Sequence, residues 1–407
     1  MAKPPDVYEY IGVIHIHTTD SDGSRTHDEI IKMAHKYGLD YLMFADHMTL
    51  DNKSKEGWYD KTLVIIGYEH NYDVKDSNHY LIFGLNRTLP GDLKPEMYVK
   101  RVRQAGGLGV IAHPDEDREL DKYPPLPWTD WSVSEFDGIE IWNHMSAWLE
   151  GLAKGSKIKY LLNPRSLLQA PPKKTLERWD RINLHRNCVG IGSADAHGHR
   201  VKLLGIFWKT IFPYEVELCS IRTHVITKQP LPRGFAPAHD EFIHSLKACR
   251  AFVSNYRWGD ARGFRFWAET PRYYALIGDR ITYHPKLKFF VRSPYSAKVI
   301  LIRNGEKIAE DEGTKVVFNT RGLGCYRVEL WRDGKGWIFS NHIHVEKQDA
   351  YKSQDSYRTE RRNHHGSEKN PRSRSDTRAK KYSRTNKDTG IKNTQNRRNR
   401  NLPSKKG

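Results

Sequence analysis

Cysteine is scarce in this 407-residue chain: Cys188, Cys219, Cys249 and Cys325 are its four, scattered and never paired at metal-ligand spacing. That scatter argues against a disulfide framework or a zinc-cysteine module, and it leads us to expect buried free thiols in a reducing, cytoplasmic setting. No apolar run approaches the roughly 18 residues of a membrane-spanning helix. The opening Met1-Ala2-Lys3-Pro4-Pro5-Asp6 also lacks the apolar stretch of a secretory signal. Acidic residues are in deficit, with 49 Asp plus Glu against 67 Lys plus Arg and a formal net charge of +18. Such an excess suggests nucleic acid or an acidic surface as partner. The deficit is local, however. Residues 347–407 hold 19 basic and 6 acidic side chains, whereas the preceding 346 residues hold 48 and 43.

With 38% hydrophobic residues and 11 Trp, the chain as a whole is not disordered. Its length suggests two or three domains. Short apolar runs at 10–16, 41–45, 63–68, 80–84, 109–112, 138–142 and 188–193 read as strands, alternating with helical patterns. Thr26 with Glu29 forms a capping box for a helix to Tyr37, and Gly38 supplies its C-cap. A second helix runs over 96–104. Repeated strand–helix–strand units favour a barrel or an open parallel sheet, and the pattern alone leaves both open. Residues 230–237 read as a crossover or linker and 239–250 as a helix. From about Ile281 the period changes to two, and Asn304-Gly305 and Asp333-Gly334 mark hairpin turns of a small antiparallel sheet, expected as a sandwich. The segment 347–407 has seven apolar residues in 61 and is expected to be disordered.

The densest chemical signal is Val13-Ile14-His15-Ile16-His17, followed by Asp20-Ser21-Asp22-Gly23. In a strand, residues two apart share a face, so His15 and His17 project together and suit a divalent metal. Alone, the pair could equally be the wet face of a hairpin. The placement recurs, though: Asp46-His47, Tyr68-Glu69, Ala112-His113-Pro114 and Ser193-Ala194-Asp195-Ala196-His197 each end an apolar strand, and His79 opens one. Strands of a barrel converge at one rim, so such ends can form one cluster.

These motifs, in this order over about residues 8–200, resemble the PHP family, named for its polymerase and histidinol-phosphatase members. The resemblance implies an α/β fold with a distorted (β/α)₇ barrel and two or three divalent ions, Mn, Zn or Fe. Carried over residue by residue, it implies one ion on His15, His17, Glu69 and Asp195, and a second sharing Glu69 with His79 and His113. A third would sit on Asp22, His47 and His197, Asp22 standing where some members have histidine. In a subgroup of the family an Ig-like sandwich follows the hydrolase domain. The expected division is a barrel over 1–235, an extension over 236–280, a β-sandwich over 281–346 and a basic tail over 347–407. His342 and His344 repeat the His-x-His spacing without acidic partners and read as sheet residues.

A clustered metal centre acidifies a bridging water and neutralises phosphate oxygens, which fits hydrolysis of a phosphate ester by a metal-bridging hydroxide. Glu69, Asp195 and His197 are the expected catalytic groups, with His144 as a competing ligand or proton donor. Arg25, His199, Arg200 and Lys202 are candidates to clamp a phosphate, and a solvated loop is the plainer reading of the last three. Asp20 and Asp46 are candidates to hydrogen-bond ligand histidines, with solvent exposure at a strand edge as the competing reading. The expected substrate is a phosphorylated small molecule. Two other readings stay open: a nuclease acting on DNA or RNA ends, and a non-catalytic metal-containing binding or assembly protein. The basic tail adds generic contact with nucleic acid or an acidic partner.

Overall fold

In the computed structural model, which describes residues 5–71, 77–120, 123–154, 163–203, 207–210 and 212–347, helix α1 (His27–Lys36) starts where its capping signal stands. The Thr26 hydroxyl accepts from Glu29 N–H, and the Glu29 carboxylate accepts from Thr26 N–H at 2.9 Å. Gly38 then takes φ +60°, which lets the chain turn back into the sheet. The basic segment beyond residue 347 lies outside the described residues.

Strands β1 (Tyr8–Ile16), β2 (Tyr41–His47), β3 (Gly57–Tyr59), β4 (Thr62–His70), β5 (Tyr80–Phe83), β6 (Leu108–Ile111), β7 (Gly138–Asn143) and β8 (Val189–Ser193) build the N-terminal sheet. All but β3 coincide with the apolar runs of the sequence. Strands β1, β2 and β4 are parallel, as are β6, β7 and β8, but β5 runs antiparallel to both β4 and β6. Only nine residues join β4 to β5, fewer than the roughly dozen that a parallel crossover needs. A short two-stranded sheet of β9 (Arg200–Leu203) and β10 (Phe207–Thr210) follows. Of two strands that the sequence pattern did not disclose, β11 (Ile221–Thr227) adds antiparallel to the free side of β1, and β12 (Ala251–Asn255) adds antiparallel to β11.

Helices α2 (Pro95–Gln104), α3 (His144–Lys154), α4 (Lys173–Asn183), the single turn α5 (Tyr214–Glu217) and α6 (Phe235–Lys247) connect these strands. The expected linker over 230–237 is corrected in part. Helix α6 already begins at Phe235, because Pro237 falls in its first turn, where a missing N–H costs nothing. Its Phe242, Ile243 and Leu246 fill the core enclosed by Ile14, Met43, Ile65, Leu81, Val110 and Ile191.

The sheet is not closed by a further strand pair among the described residues. Three backbone hydrogen bonds tie residues 194–196 to β1 and its end: Ala194 N to Ile14 O, Ala196 N to His15 O, and His17 N to Ala196 O. The remaining edge of β8 is satisfied by side chains. Thr223 Oγ1 pairs with the N–H and C=O of Gly192, and the Asn341 amide with those of Gly190.

The C-terminal region is sheet-rich: β13 (Arg265–Glu269), β14 (Tyr274–Leu276), β15 (Arg280–Thr282), β16 (Lys288–Arg303), β17 (Glu306–Asn319), β18 (Gly324–Arg332), β19 (Lys335–Ser340) and β20 (Ile343–Glu346). Both expected hairpin turns form, with positive φ at Asn304 and Gly305 and at Asp333 and Gly334. These strands join the N-terminal sheet through pairing of β12 with β19.

Candidate metal centre

Nine side chains expected to meet at the strand ends do meet. Their placement begins with β1. Ile14 packs inside the curved sheet with Met43 and Ile65, whereas Val13 and Ile16 pack outside against Ile30 and Ala34 of α1. Strict alternation would send His15 and His17 outward with Val13. A bulge prevents this: His15 takes φ +66°, the pairing with β2 shifts between Ile14 and Ile16, and both imidazoles turn inward. His79 needs no such device. It precedes β5, whose reversed direction brings its beginning to the rim where the parallel strands end.

Glu69, 1% exposed, is the hub. Its Oε1 lies 2.8 Å from His79 Nδ1 and 3.2 Å from His113 Nε2. Its Oε2 lies 3.1 Å from His15 Nε2, 3.3 Å from His17 Nε2 and 3.4 Å from His47 Nδ1. Asp195 Oδ1 is 3.5 Å from the Nε2 atoms of both His15 and His17. On the other side Asp22, half-exposed, places Oδ1 3.2 Å from His197 Nε2 and 3.5 Å from His17 Nδ1, with Oδ2 3.7 Å from His47 Nε2. Among these nine side chains, three groups of donor atoms therefore each lie within 4.8 Å: Glu69, His79 and His113; His15, His17 and Asp195; His17, Asp22, His47 and His197. Mixed imidazole nitrogen and carboxylate oxygen is a donor set that suits Zn, Mn or Fe. The residues present fit such ions.

Several rings are held by a partner on the nitrogen that faces away. His113 Nδ1 donates to Leu126 O at 3.1 Å, and His197 Nδ1 to Asp195 O at 2.9 Å, so each offers Nε2 inward. His47 differs, since the Nδ1 that meets Asn71 Oδ1 at 3.1 Å is the nitrogen that faces Glu69.

The electrostatics are those of carboxylates crowded by imidazoles. Burial would raise Glu69, but His15, His79 and His47 hold it well below the usual carboxylate range. Asp195 is lowered in the same way against burial, chiefly by His15 and His17. For His113 burial is outweighed by Glu116 and Glu69, which push it up to about 9. His197 is pushed up to about 9, Asp22 and Asp195 overcoming burial. A divalent cation entering this set would displace those protons.

Other candidates lie elsewhere. His144, buried, packs its ring on Phe212 at 4.6 Å, and neither nitrogen has a hydrogen-bond partner among the described residues. Burial, with Arg165, pushes it down to about 3. It joins none of the three donor groups. Arg25 faces Glu29 and Glu215, each at 3.5 Å. His199 lies at the edge of the cluster, its ring centroid 5.2 Å from that of His197 and 6.2 Å from that of Tyr123. Arg200 and Lys202 stand in β9, and their side chains lie outside the described residues. Asp20 and Asp46 do not orient the ligand histidines as expected. Asp46 accepts from Thr18 N at 2.7 Å, Thr18 Oγ1 at 2.8 Å and Ser21 Oγ at 2.6 Å, and so anchors the loop that carries Asp22; Asp20 accepts from Asn52. Sequence reasoning passed over Glu140, buried among the ligands. Its signal was a carboxylate inside the otherwise apolar Gly138-Ile139-Glu140-Ile141-Trp142.

No family model matches the chain. An uncharacterized protein of Methanocaldococcus jannaschii is 25% identical over 171 residues, which covers 36% of this chain and 91% of that protein. Among solved structures, the chain is similar to an inferred metal-dependent phosphoesterase from Bifidobacterium adolescentis, with 17% identity, coverage of 46% of this chain and 87% of that one, and a TM-score of 0.31. It is also similar to a two-domain protein from Bacteroides vulgatus containing a predicted PHP-like metal-dependent phosphoesterase, with 12% identity, coverage of 84% and 97%, and a TM-score of 0.42.

Proposed function

We propose that this chain is a PHP-family metal-dependent hydrolase that cleaves a phosphate ester, its curved N-terminal sheet serving as the family's distorted barrel. The observation that carries the reading is the convergence of six histidines and three carboxylates, from separate strand ends, around the buried Glu69. His15, His17, Glu69 and Asp195 would hold one ion, Glu69 with His79 and His113 a second, and Asp22, His47 and His197 a third. Bound divalent ions would supply an acidified water and neutralise the oxygens of the ester.

The protein's own groups do the rest. Glu69 divides its two oxygens between the His79–His113 pair and the His15–His17 pair, which suits a bridging carboxylate that fixes the spacing of two ions. Asp195 keeps its charge at neutral pH because two imidazoles face one of its oxygens. Asp22 and His197 form the more open side, where a substrate oxygen could enter. His199 borders that side and would meet the ester's leaving group.

The test is metal analysis of the full chain together with a panel of phosphomonoesters, phosphodiesters and oligonucleotides. His15→Ala and Asp195→Ala should each lose bound metal and turnover together. Unchanged metal content and hydrolysis in both variants would sink the reading.

A further inference from the structure

Three of the nine proposed ligands have left-handed backbones: His15 at φ +66°, His113 at φ +27° and Asp195 at φ +54°. Such conformations persist only where surrounding contacts over-determine them. All three lead to one side chain outside the ligand sets, Glu140, which is 1% exposed. Its Oε1 is 2.7 Å from His15 Nδ1, and its Oε2 accepts from His113 N at 2.7 Å and from Asn143 Nδ2 at 2.8 Å. Asn143 Nδ2 reaches on to Asp195 Oδ2 at 3.2 Å, and Asn143 Oδ1 is fixed by Ser146 N–H at 2.9 Å. The pairing of β7 with β8 slips between Glu140 and Trp142. A slip of this kind changes which residues share a face, and Glu140 and Asn143 both point into the cluster.

We propose that Glu140 is the positioning residue of this centre, the common anchor of His15, His113 and Asp195. The inference rests on the metal-centre reading above. Accepting from Nδ1–H fixes the tautomer of His15, so the Nε2 lone pair faces Glu69 and Asp195. Holding the His113 N–H locks the turn at the end of β6. Holding Asn143 orients the carboxylate of Asp195.

A carboxylate is required because Glu140 takes donors on both oxygens. In Glu140→Gln one of the two oxygens becomes an NH₂ group. If that group faces His15, Nδ1 must become the bare nitrogen and the proton moves to Nε2, which removes the inward lone pair. If it faces His113, two N–H groups confront each other in a buried site. Either orientation spoils a ligand while the volume stays the same.

The experiment compares wild type, Glu140→Gln and Glu140→Asp as full-length proteins stripped of metal. Zn²⁺ affinity is measured by chelator competition, and the fold is followed by far-UV circular dichroism and thermal unfolding. We expect Glu140→Gln to keep the metal-free fold but bind Zn²⁺ about 10–100-fold more weakly, in the range seen when an outer hydrogen-bond partner of a ligand is removed. Glu140→Asp, which keeps both acceptors, should recover part of the loss. Equal affinity in wild type and Glu140→Gln overturns the proposal. Should Glu140→Gln fail to fold, ¹⁵N-histidine spectra of Zn²⁺-loaded wild type decide: a protonated Nδ1 on His15 supports the anchor, and a protonated Nε2 overturns it. A wild type that binds no Zn²⁺, Mn²⁺ or Fe²⁺ overturns the metal-centre reading itself, an outcome distinct from a metal-binding protein indifferent to Glu140.

Discussion

Two buried charged clusters of this molecule are built on different logic. In the C-terminal one, Asp180 of α4 receives Arg327 Nε at 2.7 Å and Nη2 at 2.8 Å, a bidentate pair, and is also approached by His342 Nε2 at 2.8 Å. The third nitrogen of the guanidinium, Nη1, donates to Glu329 Oε1 at 2.7 Å, and Glu329 Oε2 accepts from Trp331 Nε1. The guanidinium and the two carboxylates there match donor to acceptor, His342 Nδ1 alone lacking a partner among the described residues, so the cluster is a fastening between a helix and a sheet. Around Glu69, by contrast, five imidazoles crowd one carboxylate, and three of the nine proposed ligands sit in left-handed backbone. Convergent lone pairs and stored backbone strain mark a place built to receive something. Burial of charge does not separate the two; the matching of donors to acceptors does.

The strongest way to break this comparison is at the hub. Glu69→Gln should lower metal retention and phosphoester turnover by more than about 100-fold, because it strikes a direct ligand rather than one of the outer partners, whose loss typically costs ~10–100-fold. Unfolding free energy of the metal-free protein would change far less. Metal analysis with steady-state kinetics checks the first part, and denaturant titration in chelator the second. The reverse is expected of Arg327→Met. Leaving Asp180 buried without its partner should destabilise the protein by about 3–5 kcal/mol in denaturant titration. The metal content of the surviving folded fraction should stay at the wild-type ratio. A loss of metal on Arg327→Met at unchanged stability would erase the distinction between the clusters.

Acid should separate the regions more gently. His344, next to the C-terminal cluster, is pushed down to about 3, first by burial and then by His342 and Arg280. The unfolded chain therefore binds this proton before the folded one does. Its share of the stability is complete above the ordinary histidine value and declines as pH falls from about 6.5 toward 3. Metal-free protein should lose on the order of 1–2 kcal/mol between pH 7 and pH 5 through this group, and His344→Phe should flatten that limb of the stability profile. The smallest effect serves as a control outside both clusters. Thr26→Ala removes one half of a capping box and should cost about 1 kcal/mol without altering metal content.

How much of this was legible beforehand differs by residue. The apolar runs located β1, β2 and β4 to β8 to within a residue or two, because burial on both faces leaves a continuous apolar stretch. Strand β11 escaped because Ile221–Thr227 interleaves Arg222, Thr223 and His224, polar groups that are buried but individually partnered. His144 shared the neighbourhood of Asn143 in sequence yet turned with α3 into an apolar cluster. Glu140 carried a signal, an acid in an apolar strand, but its three partners lie 125, 27 and 3 residues away.

The sequence by itself determined the types of the proposed ligands, their strand-end spacing and the shared face of His15 and His17, since these follow from local periodicity. It could not say which way that face turned. Whether the two rings pointed outward to helix α1 or into the sheet depended on a one-residue bulge at His15, and a shift of one residue reverses every side chain beyond it. Nor could it bring His79 to the rim, because that follows from β5 running against its neighbours. Such choices are made by pairing between distant strands, and only the tertiary structure holds both partners at once.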